Sequence, residues 1–281
     1  MRFLTKKDIR IPARKKTSRK GDNGKVLVIG GSKEYVGAAA LAGLAALRSG
    51  ADWVTIAAPE KVGWAINALS PDLVVRKYKG DDFCASRAKD VLKLSGDFDA
   101  VLIGNGIGMH AKSFCKKFIK ECRKPLVIDA DGIKAISAKD VKNAILTPHR
   151  KELEIFLRNS DKSAQTVKSL EKNAQFLRKE LKDFFNRNNV LLLKGPVDTI
   201  ISKNKIAFNK TGNAGMTKAG TGDVLAGLCV SYLAQLKDPF RAACNAAYFN
   251  GLAGDILLKK KKGFTYLASD LVEEIKKIKG R

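Results

Sequence analysis

The chain has 281 residues, of which 45% are hydrophobic and 29% charged. That supports a sizeable core and excludes the disordered and fibrous classes. Lysine and arginine outnumber aspartate and glutamate by 53 to 28, a formal net charge of +25. Such an excess suits encounters with phosphates, nucleotides or nucleic acid, and equally fits a lysine-rich solubility bias.

Aromatic residues make up only 7% of the chain and do not interleave with basic ones, so nucleic acid is not the expected partner. Five cysteines (Cys84, Cys115, Cys122, Cys229, Cys244) form no CxxC pair and only two histidines occur, which argues for reduced thiols and against a zinc cluster. No run of about 18 strongly apolar residues predicts a membrane helix. Residues 1–20 are basic but lack the apolar stretch of a signal peptide, so a cytoplasmic location is expected.

In chain order, the pattern predicts a strand over 25–31, a helix over 38–49 and a strand over 52–58. Further strands are predicted over 99–106, 125–132, 144–149 and 189–195, each a branched apolar run ending in Gly, Asp or Pro. Such strands, separated by helices, predict a parallel sheet covered on both faces. Residues 161–188 read as one charged amphipathic helix with Leu170, Ala174, Leu177 and Leu181 on one face. The alternation over 198–209, around Lys203-Asn204-Lys205, predicts an antiparallel hairpin at a sheet edge. Helices over Thr221–Gln235 and Pro239–Leu258 are apolar on nearly every side, and Lys259–Lys262 reads as a solvated helix end. Neither a repeat nor a long linker divides the chain. One doubly wound α/β domain over 1–281 is expected, with 1–20 as its basic N-terminal segment.

Ligands in such sheets bind beyond the carboxyl ends of the strands. Gly30-Gly31-Ser32 and Gly104-Asn105-Gly106 fall there and allow close approach of backbone to a ligand. Gly104-x-Gly106-x-Gly108, followed by Asp129, has the wrong spacing for a dinucleotide fingerprint, and no GxxxxGK[ST] motif is present. The most informative segment runs from Asn213 to Asp223 and leads into an apolar helix. Gly220, Thr221 and Gly222 place unpaired N–H groups at a helix N-terminus, where an anion is favoured. Capping accounts for Asp223 but does not call for three small residues before it; a phosphate site beside a carboxylate base does.

Ala219-Gly-Thr-Gly-Asp223 resembles the anion-hole and base motif of ribokinase-like kinases. Lys20-Gly-Asp-Asn-Gly24, Gly31-Ser-Lys-Glu-Tyr-Val-Gly-Ala-Ala39, Arg48-Ser-Gly-Ala51, Ile128-Asp-Ala-Asp131, Thr147-Pro-His-Arg-Lys-Glu152 and Lys194-Gly195 narrow the likeness. Together they resemble the ADP/ATP-dependent NAD(P)H-hydrate dehydratases over roughly residues 20–278, leaving no room for the epimerase domain fused to many of them. The resemblance implies a ribokinase-like fold, a mostly parallel sheet flanked by helices. It also implies the reaction: the C6 hydroxyl of S-NADH or S-NADPH hydrate is phosphorylated from ADP or ATP, and phosphate leaves to restore the dihydropyridine.

Residue roles follow from the same likeness. Asp223 is the implied base and a substrate contact, and Gly220, Thr221 and Gly222 the anion hole. Lys194, Gly195, Pro196, Val197, Asp198 and Thr199 match the nucleotide-binding segment, joined by Gly222, although Pro196 departs from its usual form. Ala39, Gly106 and His149 match substrate contacts. Glu152 matches the acid that organises Mg²⁺, through water. Read from the residues alone, His149 and Gly106 also suit turns, Glu152 suits a helix first turn, and Asp129 and Asp131 are caps or ligands in equal measure. Arg19-Lys20-Gly21 stands where His-Lys-Gly is usual and Asn23 where an aromatic is common, in a loop expected to shape the substrate mouth. A homotetramer is implied, and ADP is the implied donor by likeness to the prokaryotic branch. The alternative is a ribokinase-like kinase of a thiamine-pathway alcohol, which shares the Gly-x-Gly-Asp helix start.

Overall fold

In the computed structural model, which describes residues 2–162, 173–260 and 263–278, the apolar runs become the strands of one sheet. Chain order gives β1 Lys25–Ile29, α1 Val36–Arg48, β2 Trp53–Pro59, α2 Glu60–Leu69, β3 Val74–Tyr78, α3 Ala88–Ser95 and β4 Ala100–Ile103. Then come α4 Lys112–Glu121, β5 Leu126–Ile128, α5 Asp131–Lys134, β6 Ala144–Leu146 and α6 Arg150–Asn159. The last third holds α7 Ala174–Glu180, α8 Lys182–Asn186, β7 Val190–Leu193, β8 Asp198–Ile201, β9 Ile206–Asn209, α9 Thr221–Leu236, α10 Pro239–Lys260 and α11 Ala268–Ile278.

The nine strands lie in the order β3-β2-β1-β4-β5-β6-β7-β8-β9. β1 to β7 pair in parallel, and β8 and β9 close the row antiparallel, as the 198–209 alternation predicts. Strand β3 has no counterpart among the sequence-predicted strands. Its residues Val74–Tyr78 mix exposed Val74 with Arg76 and Lys77 at the sheet edge, so it lacks the apolar run of a doubly covered strand.

Alternation along each strand splits the core in two. Val26, Val28, Ile56, Leu102, Val127 and Ile145 face α1, α9, α10 and α11, whereas Leu27, Ile29, Val101, Ile103, Leu126 and Ile128 face α3, α4 and α6. On the first face α1 and α9 meet at backbone distance: a Cβ on Gly227 would stand 2.2 Å from the carbonyl oxygen of Ala42. This close approach is why α1 and α9 carry Ala and Gly where they meet.

Two expectations change. The helix predicted over 161–188 is, in its described part, two short helices, α7 and α8, which meet at Leu181. Leu177 and Leu181 are buried and Ala174 is half-buried, while Leu170 lies outside the described residues. Residues Arg19–Gly24 lie at the amino ends of β1 and β2, where Asp52 accepts the N–H groups of Gly21 and Asn23 at 3.0 Å each. A Cβ on Gly24 would sit 3.0 Å from Ala234, near the C-terminus of α9, so within this chain the loop is at the opposite end of the sheet from the strand carboxyl ends. It shapes no substrate mouth there. The N-terminal segment packs along the other edge: Leu4 is buried and its N–H donates to Phe208 O at 2.7 Å, covering β9. No helix among the described residues is long and apolar enough to cross a membrane.

Candidate active site

The strand order reverses between β1 and β4, and a crevice opens at such a switch point beyond the carboxyl ends. Gly31 N–H donates to Asn105 O at 2.9 Å and ties the two strand ends together. Gly104 has φ 121°, and a Cβ there would stand 2.0 Å from Asp129 O, so only glycine lets the β4 and β5 ends close on one another. Ala130, the residue after Asp129, takes φ 48° and ψ −121°, a strained backbone for a residue with a side chain, costing about 1–3 kcal/mol.

Each neighbouring strand end contributes one polar side chain. Asn105 follows β4, Asp129 follows β5, Thr147 follows β6 and Lys194 follows β7. Asp129, 2% exposed, accepts from Thr147 Oγ1 at 2.7 Å and from Lys194 Nζ at 3.1 Å on Oδ1, and from Asn105 Nδ2 at 2.9 Å on Oδ2. Lys194 Nζ also lies 3.7 Å from Glu152 Oε2. Burial alone would pull the Lys194 pKa down, but Asp129 and Glu152 outweigh it and hold the ammonium charged.

Glu152 belongs to the first turn of α6. His149 N–H donates to Glu152 Oε2 at 2.9 Å and Glu152 N–H donates to His149 Nδ1 at 3.3 Å, a reciprocal cap. Glu152 is thus a first-turn acid as its position suggests, while His149 is the N-cap of α6 rather than a turn residue; the cap fixes the buried Glu152 carboxylate beside Lys194 while the His149 ring stays half exposed.

Asp223 enters from the opposite side. The segment before α9 is fastened by Asp255, which accepts from Gly212 N–H at 3.0 Å and Asn213 Nδ2 at 3.1 Å, and by Tyr266, whose hydroxyl donates to Asn213 Oδ1 at 2.6 Å. Lys218 Nζ donates to Tyr266 O at 2.8 Å and to Phe264 O. Thr221 Oγ1 lies 2.7 Å from Met216 O and Thr221 N–H donates to Lys218 O at 3.4 Å, so both groups of Thr221 are committed to the loop. Gly220 caps α9 at φ 91°, and a Cβ on it would stand 2.8 Å from both Ala268 and Leu41.

These ties aim Asp223 at Asn105, whose Nδ2 donates to Asp223 Oδ1 at 2.6 Å. Burial pushes the Asp223 carboxyl up to about 7; the Asn105 hydrogen bond and Lys194 pull it down, while Asp129 and Glu152 add to the rise. A Cβ on Gly222 would stand 3.4 Å from Lys194 Nζ, so the helix N-terminus and the ammonium share one wall of the crevice.

The remaining sequence-predicted residues fall around this centre unevenly. Gly195, Pro196 and Val197 form an exposed tip after β7. Asp198 turns inward, taking Gly195 N–H at 3.1 Å and Asn209 Nδ2 at 3.1 Å, and burial pushes its carboxyl up. Thr199 pairs across the ladder with Leu193 and Phe208. Gly106 is half-buried, with Tyr35 and Ala38 against it. Ala39 is fully buried beneath Gly30 and Gly31, so its side chain offers the crevice no surface. Asn105 and Thr147 carry no functional role in the sequence reading, yet both join this centre. Their signal was one polar residue at the end of each apolar strand, which acquires meaning once β4, β5 and β6 are known to be adjacent.

A crevice at the switch point, a helix N-terminus facing it and the half-buried Asp223 carboxylate beside that terminus place the chain in the class of doubly wound α/β proteins with a strand-end site suited to an anionic ligand. Within that class the chain belongs to the NAD(P)H-hydrate dehydratase family, whose model matches residues 26–277. It is 38% identical over 276 residues to the bifunctional NAD(P)H-hydrate repair enzyme of Methanothermobacter thermautotrophicus, covering 95% of this chain and 52% of that protein. The chain thus spans about half the length of the bifunctional relatives it matches. It is 33% identical to the ADP-dependent (S)-NAD(P)H-hydrate dehydratase of Cenarchaeum symbiosum, covering 97% and 94% of the two chains. Among solved structures, the ADP/ATP-dependent NAD(P)H-hydrate dehydratase of Bacillus subtilis, co-crystallised with ATP and Mg²⁺, superposes with TM-score 0.81 at 27% identity, covering 100% and 98%.

Proposed function

We propose that the chain is an ADP-dependent dehydratase of S-NADH and S-NADPH hydrates, acting as one unit over 1–281. The observation that carries this reading is the position of Asp223, half-buried in the first turn of α9 beside the Gly220–Gly222 backbone and within the reach of Asn105, Asp129 and Lys194. In this reading Asp223 accepts the proton of the C6 hydroxyl as its oxygen attacks the β-phosphorus of ADP, and AMP leaves. The N–H groups at the start of α9 hold the transferring phosphoryl group. Loss of phosphate from C6 with a proton from C5 then restores the ring double bond. Lys194 lies where it can exchange its carboxylate partners for nucleotide phosphate, and Gly106 and His149 flank the substrate.

Among the described residues no group of three or more His, Cys, Asp or Glu is arranged to hold a metal. Asp129 and Glu152 share an ammonium instead, a donor set that fits a hydrated Mg²⁺ shared with phosphates rather than a protein cage. Glu152 would hold it through water, and bound Mg²⁺ would neutralise phosphate charge during transfer. The family resemblance further supports a cytoplasmic homotetramer, which sedimentation velocity would test. The direct test of function incubates the protein with S-NADH hydrate, Mg²⁺ and either ADP or ATP while following the return of NADH absorbance. Recovery faster with ADP is expected; no recovery with either nucleotide rejects the reading.

A further inference from the structure

Asn105 is fully buried and locked from several sides. Its carbonyl oxygen accepts Gly31 N–H at 2.9 Å, and its Nδ2 spends both hydrogens on carboxylates, Asp223 Oδ1 at 2.6 Å and Asp129 Oδ2 at 2.9 Å. Flipping the amide would set its oxygen against two carboxylate oxygens, so the orientation is determined by charge. The consequence is an orphan: Asn105 Oδ1 is buried without a hydrogen-bond partner. A fold keeps an unsatisfied buried acceptor at a cost, and here the donor end offers the reason.

Asp129 does not depend on that donor, because Thr147 Oγ1 and Lys194 Nζ already hold its other oxygen. Asp223 does depend on it: among the described residues no other side chain donates a hydrogen bond to Asp223. We propose that Asn105 is a positioning residue, whose amide reserves Asp223 Oδ1 and leaves Oδ2 as the oxygen that takes the substrate proton. The proposal rests on Asp223 being the base. The bond also favours the ionised carboxylate, opposing the burial that disfavours it.

The test uses the full chain and its Asn105→Ala and Asn105→Ser variants, the latter keeping one donor in case the former does not fold. Carbon-13 NMR of labelled aspartate, with the Asp223 signal assigned by its loss in Asp223→Asn, reads the carboxyl titration directly. The Asp223 midpoint is expected to move to higher pH in Asn105→Ala, and less far in Asn105→Ser. In parallel, kcat at neutral pH should fall about tenfold and recover as pH rises, with KM for ADP within about twofold of the parent. An Asp223 midpoint unchanged in both variants overturns the proposal, including where melting temperature falls, since that marks a packing role alone. Absence of ADP-dependent turnover in the parent rejects the functional reading instead, while the NMR titration still decides what Asn105 does to Asp223.

Discussion

In its proposed role Asp223 must lose its proton to act, yet it sits where burial favours keeping it, and this conflict sets the expected pH behaviour. With the Asp223 carboxyl pushed up to about 7, the base form grows in as pH passes through neutrality, so kcat/KM should climb along an acid limb with its midpoint near there. Stability runs the other way. Because the folded protein binds this proton more tightly than the unfolded chain, Asp223 lowers stability as pH rises from about 4 toward and through about 7. Asp223→Asn should therefore melt higher than the parent at pH 8, with the gain shrinking toward pH 4, while turnover falls by about 10² or more and nucleotide affinity holds. Turnover within about threefold of the parent would remove Asp223 as the base, leaving the helix-cap reading, which predicts near-normal rates. Glu152→Gln keeps the shape of the His149 cap but gives up one charge beside Lys194, so it should raise the Mg²⁺ concentration needed for half-maximal rate. An unchanged Mg²⁺ titration would place Glu152 outside the metal's reach. At this scale the sequence displays Asp223, Lys194 and Glu152, because each sits in a motif of several residues. Asn105 and Thr147 were hidden, because a lone polar residue after an apolar strand has the same appearance whether it turns the chain or builds a site.

The two glycines that flank Thr221 at the start of α9 separate shape from chemistry. Gly220→Ala would put a side chain at φ 91°, 2.8 Å from Ala268 and Leu41, so the start of α9 must shift. A loss of about 1–2 kcal/mol for the backbone alone, plus the clash, should appear as a lowered melting temperature together with lost turnover. Gly222→Ala meets only Lys194 Nζ, at an ordinary 3.4 Å, and helix interiors prefer Ala to Gly. It should melt at or above the parent's temperature yet lose activity, the methyl standing where phosphate and ammonium approach. Equal stability losses in both would mean that the loop holds Gly222 for packing. The elements readable in the sequence were those with a complete apolar face: the six covered parallel strands, the 198–209 hairpin and the two helices of the last third. Edge strand β3 was not, because only one of its sides has a neighbouring strand and its residues are half polar. The 161–188 helix was overextended, because helical spacing of Leu177 and Leu181 survives a break at Leu181 that leaves both buried against the same face.

Over the whole molecule, charge acts in opposite senses at short and long range. The centre gathers Asp129, Glu152 and Asp223 around a single Lys194, a locally acidic place for a polyphosphate to bind. The chain as a whole carries +25. Under the proposed function, a nucleotide would therefore be drawn toward the protein from afar, with Lys194, helix N–H groups and a divalent cation settling it at the end. Salt separates these contributions, because the screening length contracts from about 30 Å at 0.01 M to about 8 Å at 0.15 M while contacts in the crevice are little screened. Across that range kcat/KM for ADP should fall severalfold and kcat should stay level. A flat kcat/KM would mean that the lysine excess serves solubility and has no part in capture. The competing use of the charge, a surface for nucleic acid, predicts instead that DNA affinity at low salt is tight and falls with a steep log–log slope set by the phosphates contacted. Fluorescence anisotropy of a labelled duplex over the same salt series distinguishes the two: weak, shallow binding is expected, and a steep slope persisting to 0.15 M salt would assign the basic exterior a polymer partner that the crevice does not explain.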